Sequence, residues 1–233
     1  MTVEIDLNAD LGEGIGNDAA LMPLLTSANV CGGLHAGGPT SIRDAVELAS
    51  AHRVVVGVHP GYADRDEFGR RELILSGREL GSLLAYQVGA VQAVARIAGV
   101  AVRYIKPHGA LYNQACRDAA IAGPVVAVAL LNGLSVLGLP GSALEQACAG
   151  KVPFVAEGFA DRRYRPDGSL LPRTEPDAFV HDPAEAVEQV ERLIRERGVR
   201  SICIHGDNPE AVSFANAVRA GLLQRGVTLK AFA

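Results

Sequence analysis

Seven short apolar runs, each followed by a longer stretch of different character, constrain this chain more than any other feature. The runs are residues 3–7, 26–31, 54–58, 102–105, 134–137, 154–157 and 201–204. The clearest, Val54-Val55-Val56-Gly57-Val58, is β-branched and is stopped by His59-Pro60-Gly61. Between the runs the periodicity turns helical. Residues 40–52 place Ile42, Ala45, Val46 and Ala49 on one face. Ser76-Gly77-Arg78-Glu79 has the spacing of a capping box, and the helix it opens carries Leu80, Leu84, Val88 and Val91. Asp182-Pro183 opens a further helix that Gly198 closes, and Asn208-Pro209-Glu210 opens a last one that Gly226 closes. Strand–helix alternation along the whole chain implies parallel strands with crossover helices. Seven strands in 233 residues predict an α/β fold: a (β/α) TIM-like barrel, seven-stranded or distorted, forming a single domain over residues 1–233. A doubly wound open sheet is the alternative, although no Gly-x-Gly-x-x-Gly follows the first run. Residues 162–180, with Pro166, Pro172 and Pro176, read as a loop excursion or hairpin.

Composition narrows the function classes. Twenty-two basic and 26 acidic side chains give a net charge of -4 with no long block of one sign, which argues against a nucleic-acid-binding polyelectrolyte. Aromatics are 5% and Trp is absent, so a stacking platform for single strands is not expected. Cys31, Cys116, Cys148 and Cys203 form no C-x-x-C pair and read as small buried thiols in a reducing compartment. The start of the chain has no basic and apolar leader pattern. Residues 119–144 carry no charge, but Pro124, Asn132, Gly133 and Pro140 would break a spanning helix; they are expected to be a buried helix followed by a buried strand. A soluble cytoplasmic protein is the expectation.

The polar residues fall in a pattern. His35, His59, His108 and His205 lie at or just after predicted strand ends, as do Asp10, Lys106, Glu157, Asp161 and Asp207. In a parallel barrel all strand C-termini open on one face, which carries the active site. Residues scattered along the chain would then converge on one rim. A single His or Asp after a strand is more often a turn former or cap. Asp182 and Asn208 are read that way, and His52 and His181 as structural or solvated. The case for the others is collective.

That rim suits general acid–base work, because His, Lys and carboxylates held together can be poised near neutrality. Lys106 and Arg162 suit an anionic substrate group such as a carboxylate or phosphate. His with Asp is also a common metal-ligand set, yet no His-Glu-x-x-His or His-x-x-x-His pair exists, and the sequence leaves a metal open. Neither a Gly-x-Ser-x-Gly elbow nor a Walker A loop is present.

At these residues the chain resembles the LamB/YcsF family, which supplies the A subunit of the bacterial ATP-hydrolysing 5-oxoprolinase. The likeness rests on Ile5-Asp6-Leu7-Asn8-Ala9-Asp10-Leu11-Gly12-Glu13-Gly14, Leu34-His35-Ala36-Gly37, His59-Pro60-Gly61-Tyr62 and Phe68-Gly69-Arg70-Arg71. It continues through Lys106-Pro107-His108-Gly109-Ala110-Leu111-Tyr112-Asn113, Phe159-Ala160-Asp161-Arg162 and Ile204-His205-Gly206-Asp207. The resemblance implies a barrel related to polysaccharide deacetylases. It also implies opening of the lactam of 5-oxo-L-proline to L-glutamate with ATP hydrolysis, in a complex with the B and C subunits, with ATP on or shared with those partners. The catalytic set expected on these grounds is Asp10, His59, Lys106, His108, His205 and Asp207. The substrate-binding set is Asn8, Glu13, His35, Glu157, Asp161 and Arg162. Asp10 or Asp207 is the expected base on water, and His108 or His205 the acid toward the ring nitrogen. A stand-alone metal-dependent amidase or deacetylase, or a non-catalytic binding subunit, are the competing readings. The chain departs from the family at Cys31-Gly32-Gly33-Leu34-His35-Ala36-Gly37-Gly38, where the cysteine is displaced by one position and Gly38 replaces an acid.

Overall fold

The computed structural model describes residues 3–206 and 210–233. Its strands are β1 (Glu4–Leu11), β2 (Ser27–Cys31), β3 (Val55–His59), β4 (Val102–Ile105), β5 (Ser135–Gly138), β6 (Phe154–Phe159), β7 (Ser201–Cys203) and β8 (Thr228–Leu229). The helices are α1 (Asp18–Leu21), α2 (Pro39–His52), α3 (Gly77–Ile97), α4 (Gly109–Arg117), α5 (Ala119–Leu131), α6 (Ala143–Cys148), α7 (Pro183–Arg197) and α8 (Ala211–Gln224). Strands β1 to β7 pair in chain order, all parallel, and β7 returns to β1. The sheet is therefore a closed seven-stranded barrel, and the open-sheet alternative falls. β8 adds two residues beside the start of β1.

The helix signals act as expected. Ser76 Oγ accepts from Glu79 N at 3.3 Å while Glu79 Oε2 accepts from Ser76 N at 2.8 Å. Asp182 Oδ1 accepts from Ala184 N, and Gly198 ends α7 in the left-handed region at φ 62°. The expected Asn208-Pro209 start lies outside the described residues. α5 runs through Pro124 and packs against α3 and α6, but Leu130 and Leu131 stay exposed, so this helix is buried on one side only. Among the described residues no single helix is long and apolar enough to cross a membrane, and α4 and α5 meet at 110°. Residues 162–180 form an irregular hairpin with antiparallel bridges Arg162–Phe179 and Tyr164–Leu170.

β1 corrects the expected boundary. The sequence places its end before Asn8-Ala9-Asp10, but the strand runs to Leu11 and takes in all three. Ile5, Leu7, Ala9 and Leu11 join the apolar layer under the helices, whereas Asp6, Asn8 and Asp10 alternate with them into the barrel. The barrel interior is thus polar along one side. At its floor, Asp6 accepts from Thr26 Oγ1 at 2.6 Å, Ser27 Oγ at 2.8 Å and Ser201 Oγ. The rest of the floor is apolar: Tyr104, Leu137 and Val155 pack with Phe232 from the C-terminal segment. Gly57 makes room for Tyr104, since a Cβ there would lie 2.1 Å from its ring.

Burial raises the Asp6 carboxyl from 3.8 to about 6, the three hydroxyls pull against it, and Glu157 adds to the rise; Tyr104 is the other titratable group it faces. The folded state therefore holds this proton more tightly than the unfolded chain. Its contribution to stability is present in acid and is lost as pH rises through about 6. The loss amounts to about 3 kcal/mol. In urea unfolding, the stability of Asp6→Asn relative to the native chain should rise by about that much between about pH 4 and about pH 7. A difference that does not change with pH would contradict this account.

Candidate active site

The C-terminal ends of the strands surround a cavity of about 690 Å³, within the usual range for small-molecule sites. At its centre stands Lys106, buried at the end of β4. Its ammonium reaches Glu157 Oε1 at 2.8 Å, Asp10 Oδ1 at 3.2 Å, Asn8 Oδ1 at 3.2 Å and Cys203 Sγ at 3.0 Å. Burial disfavours its charge, but Asp10 and Glu157 beside it hold its pKa well above the usual value. Asp10 is the mirror case. Burial raises it, and His59 and Lys106 beside it overcome that, so it stays well below the ordinary carboxylate range. Asn29 ties the layer together. It donates to Asn8 Oδ1 at 2.6 Å and Asp10 Oδ1 at 2.8 Å, and accepts from Tyr104 OH at 2.7 Å.

Two histidine groups flank this centre. On one side, His59 and His108 meet edge to face, with Nε2 of the first 3.0 Å from Nδ1 of the second. Their outer nitrogens donate to backbone carbonyls, His59 Nδ1 to Lys106 O at 2.7 Å and His108 Nε2 to Phe68 O at 2.8 Å. Asp10 Oδ2 is 3.2 Å from His59 Nε2, and Glu13 Oε1 is 3.5 Å from His108 Nδ1. His35 stacks on His108 at 3.9 Å and sits 3.2 Å from Glu13 Oε1 through Nε2. Burial lowers its pKa to about 3, so it is neutral. On the other side, Asp161 accepts from His205 Nδ1 at 2.9 Å and from its backbone N at 2.9 Å. This leaves Nε2 of His205 for the cavity, which the ring lines. Burial raises Asp161 and the neighbouring His205 outweighs that, lowering it overall.

The structure thus brings together Asp10, Glu13, His59, Lys106, His108 and His205 around one cavity. Asp207 lies outside the described residues. Asn8, His35, Glu157 and Asp161 stand behind the lining: Asn8 and Glu157 hold Lys106, His35 holds Glu13, and Asp161 holds His205. Arg162 also lines the cavity, and its own loop holds part of its guanidinium. Its guanidinium donates to Leu171 O and, at 3.3 Å, to Ala178 O, and lies over Phe179. Burial, with Arg173 nearby, lowers its pKa to about 10. Gly38 heads α2, its N–H donating to Ser41 Oγ at 2.9 Å, and a Cβ there would meet no atom within 4 Å. The acid missing at this position is a helix-cap position with room for a side chain, outside the cluster around His35.

Sequence reasoning misses several interior residues: Asp6, Asn29, Tyr104, Ser201 and Cys203. The signal is there in part, as a period-two run of polar residues at 6, 8 and 10 and at 27 and 29.

The model of the LamB/YcsF family matches residues 5–233. The A subunit of 5-oxoprolinase from Neisseria meningitidis serogroup B is 44% identical over 243 residues, covering 98% of this chain and 99% of that protein. Its counterpart in Streptomyces griseus is 45% identical over 249 residues, covering 98% and 100%. The crystal structure of the lactam utilization protein from Thermus thermophilus superposes with a TM-score of 0.90 at 38% identity over 99% of this chain and 100% of that one. A family 4 carbohydrate esterase from Streptomyces lividans shares the fold, with a TM-score of 0.55 at 13% identity over 99% of this chain and 93% of that one.

Proposed function

The chain belongs to the LamB/YcsF family, and from that premise we propose that it opens the lactam of 5-oxo-L-proline to L-glutamate, coupled to ATP hydrolysis, with partner B and C subunits. Relatives of 44–45% identity, named as the A subunit of 5-oxoprolinase, support the substrate and the partners. The observation that carries the chemistry is the Asp161–His205 pair, whose ring lies beside Asp10 at the cavity wall.

A five-membered lactam is a stabilised amide, and coupling to ATP makes its cleavage feasible. Phosphorylation of the carbonyl oxygen on a partner would turn that oxygen into a leaving group. In this barrel His205 Nε2 takes a proton from water as its oxygen bonds to the ring carbonyl carbon. The same nitrogen returns the proton to the ring nitrogen; the C–N bond then breaks as the new hydroxyl becomes a carbonyl, which leaves a γ-glutamyl phosphate, and a second water displaces the phosphate to give glutamate. Asp161 holds the tautomer that makes this possible and stabilises the charged ring. Asp10 is too firmly ionised to be a good base, and the Lys106 ammonium is already shared by Asp10 and Glu157. Arg70, Arg162 and Arg173 line the cavity and bring the positive charge that would meet the substrate carboxylate.

Reconstitution tests the reading. The chain mixed with the B and C subunits should form glutamate and release phosphate only when 5-oxoproline and ATP are both present. No glutamate from the complete mixture, or unchanged glutamate when this chain is left out, would refute it.

A further inference from the structure

We propose that Asp10, His59 and His108, with Glu13, form a site for one divalent first-row transition ion at the base of the cavity. The argument starts with the histidine protons. Each ring spends its N–H on a backbone carbonyl, His59 through Nδ1 and His108 through Nε2. The nitrogens left over carry lone pairs, and they face each other at 3.0 Å. Two carboxylate oxygens close on the same point, at 3.2 Å and 3.5 Å from those nitrogens. All four ligand atoms lie within 4.8 Å of one another. Four acceptors gathered this closely need positive charge among them, and a cation between them serves all four at once. A second proton on His59 would serve one neighbour at a time.

The spacing fits an ion. Ligand atoms held roughly 2.0–2.2 Å from a cation sit about 3.0–3.5 Å apart in tetrahedral or octahedral arrangements. The two imidazoles favour a borderline transition ion over magnesium or calcium. Backbone carbonyls on the outer ring nitrogens are the usual orienting partners of metal-bound histidine, and His35 plays that part for Glu13. All four ligands line the cavity, so a coordination position stays open to solvent or substrate. No short motif announces the site, because its ligands come from separate strand ends and loops far apart in the chain.

The test uses the full chain alone, stripped with a chelator and titrated with Co²⁺. One equivalent should saturate visible bands of a low-coordinate site, and Zn²⁺ should displace it. Asp10→Asn, His59→Gln and His108→Gln should each weaken binding about tenfold or more. Glu191→Gln, on the outer face of α7, should bind as the native chain does. Circular dichroism checks that each variant is folded. The native titration decides even if a variant fails that check: a folded chain that shows no saturable bands overturns the proposal. Bands unchanged in all three folded ligand variants overturn it equally. Binding is read without substrate or partners, so it can fail or succeed independently of the lactam reading.

Discussion

Lys106→Met is expected to lower the melting temperature by roughly 6–20 °C, corresponding to about 3–5 kcal/mol. Lys106 is 2% exposed and is the cation that Asp10 and Glu157 share at 3.2 and 2.8 Å. Methionine fills nearly the same space but leaves two carboxylates facing each other inside the barrel. Breaking a buried ion group by removing one side is far worse than replacing the whole group, because the remaining charges lose their solvation and their partner. The double variant Lys106→Met/Glu157→Gln should therefore recover much of the loss, since the second charge goes with the first. Melts in chelator, read by circular dichroism, check both. If the single variant melts within about 2 °C of the native chain, the carboxylates are not depending on this ammonium.

The second large effect concerns turnover rather than folding. Asp161→Asn should cut glutamate formation by the reconstituted complex about 10²–10⁴-fold while leaving the fold in place. The carboxylate accepts both the ring N–H and the backbone N–H of His205 at 2.9 Å, which fixes Nε2 as the free nitrogen. An amide in its place can present its NH₂ to Nδ1 and reverse the tautomer. His205→Ala should cost a similar amount, and the double variant little more, because the two act as one unit. Retention of more than roughly a third of the native rate in Asp161→Asn would make the pair a loop tie and remove it from the chemistry.

Fold class is open to reading because burial under the helices is apolar and periodic. Val54 to Val58 declare a strand whatever surrounds them. β1 shows where that logic stops. Its inward face is Asp6, Asn8 and Asp10, and a polar alternation before a glycine looks like the end of a strand. Only closure of the barrel gives those side chains partners, since Asn8 meets Ser201 and Glu157 from strands far along the chain. Strand-end positions place His59, Lys106, His108 and His205 on one rim. Whether a residue lines the cavity or stands behind it is not legible. His35 and Asp161 carry the same residue types as His108 and Asp10, and differ only in what screens them from solvent. Arg162 does line the cavity, but that the Leu171 and Ala178 carbonyls hold it there is set by the hairpin's own geometry.

Phe232 packs against Tyr104 and fills the lower end of the barrel. With that end filled, the cavity among the described residues opens at the C-terminal ends of the strands. Under the proposed function, a partner that hands over an activated reactant would meet the barrel at this mouth.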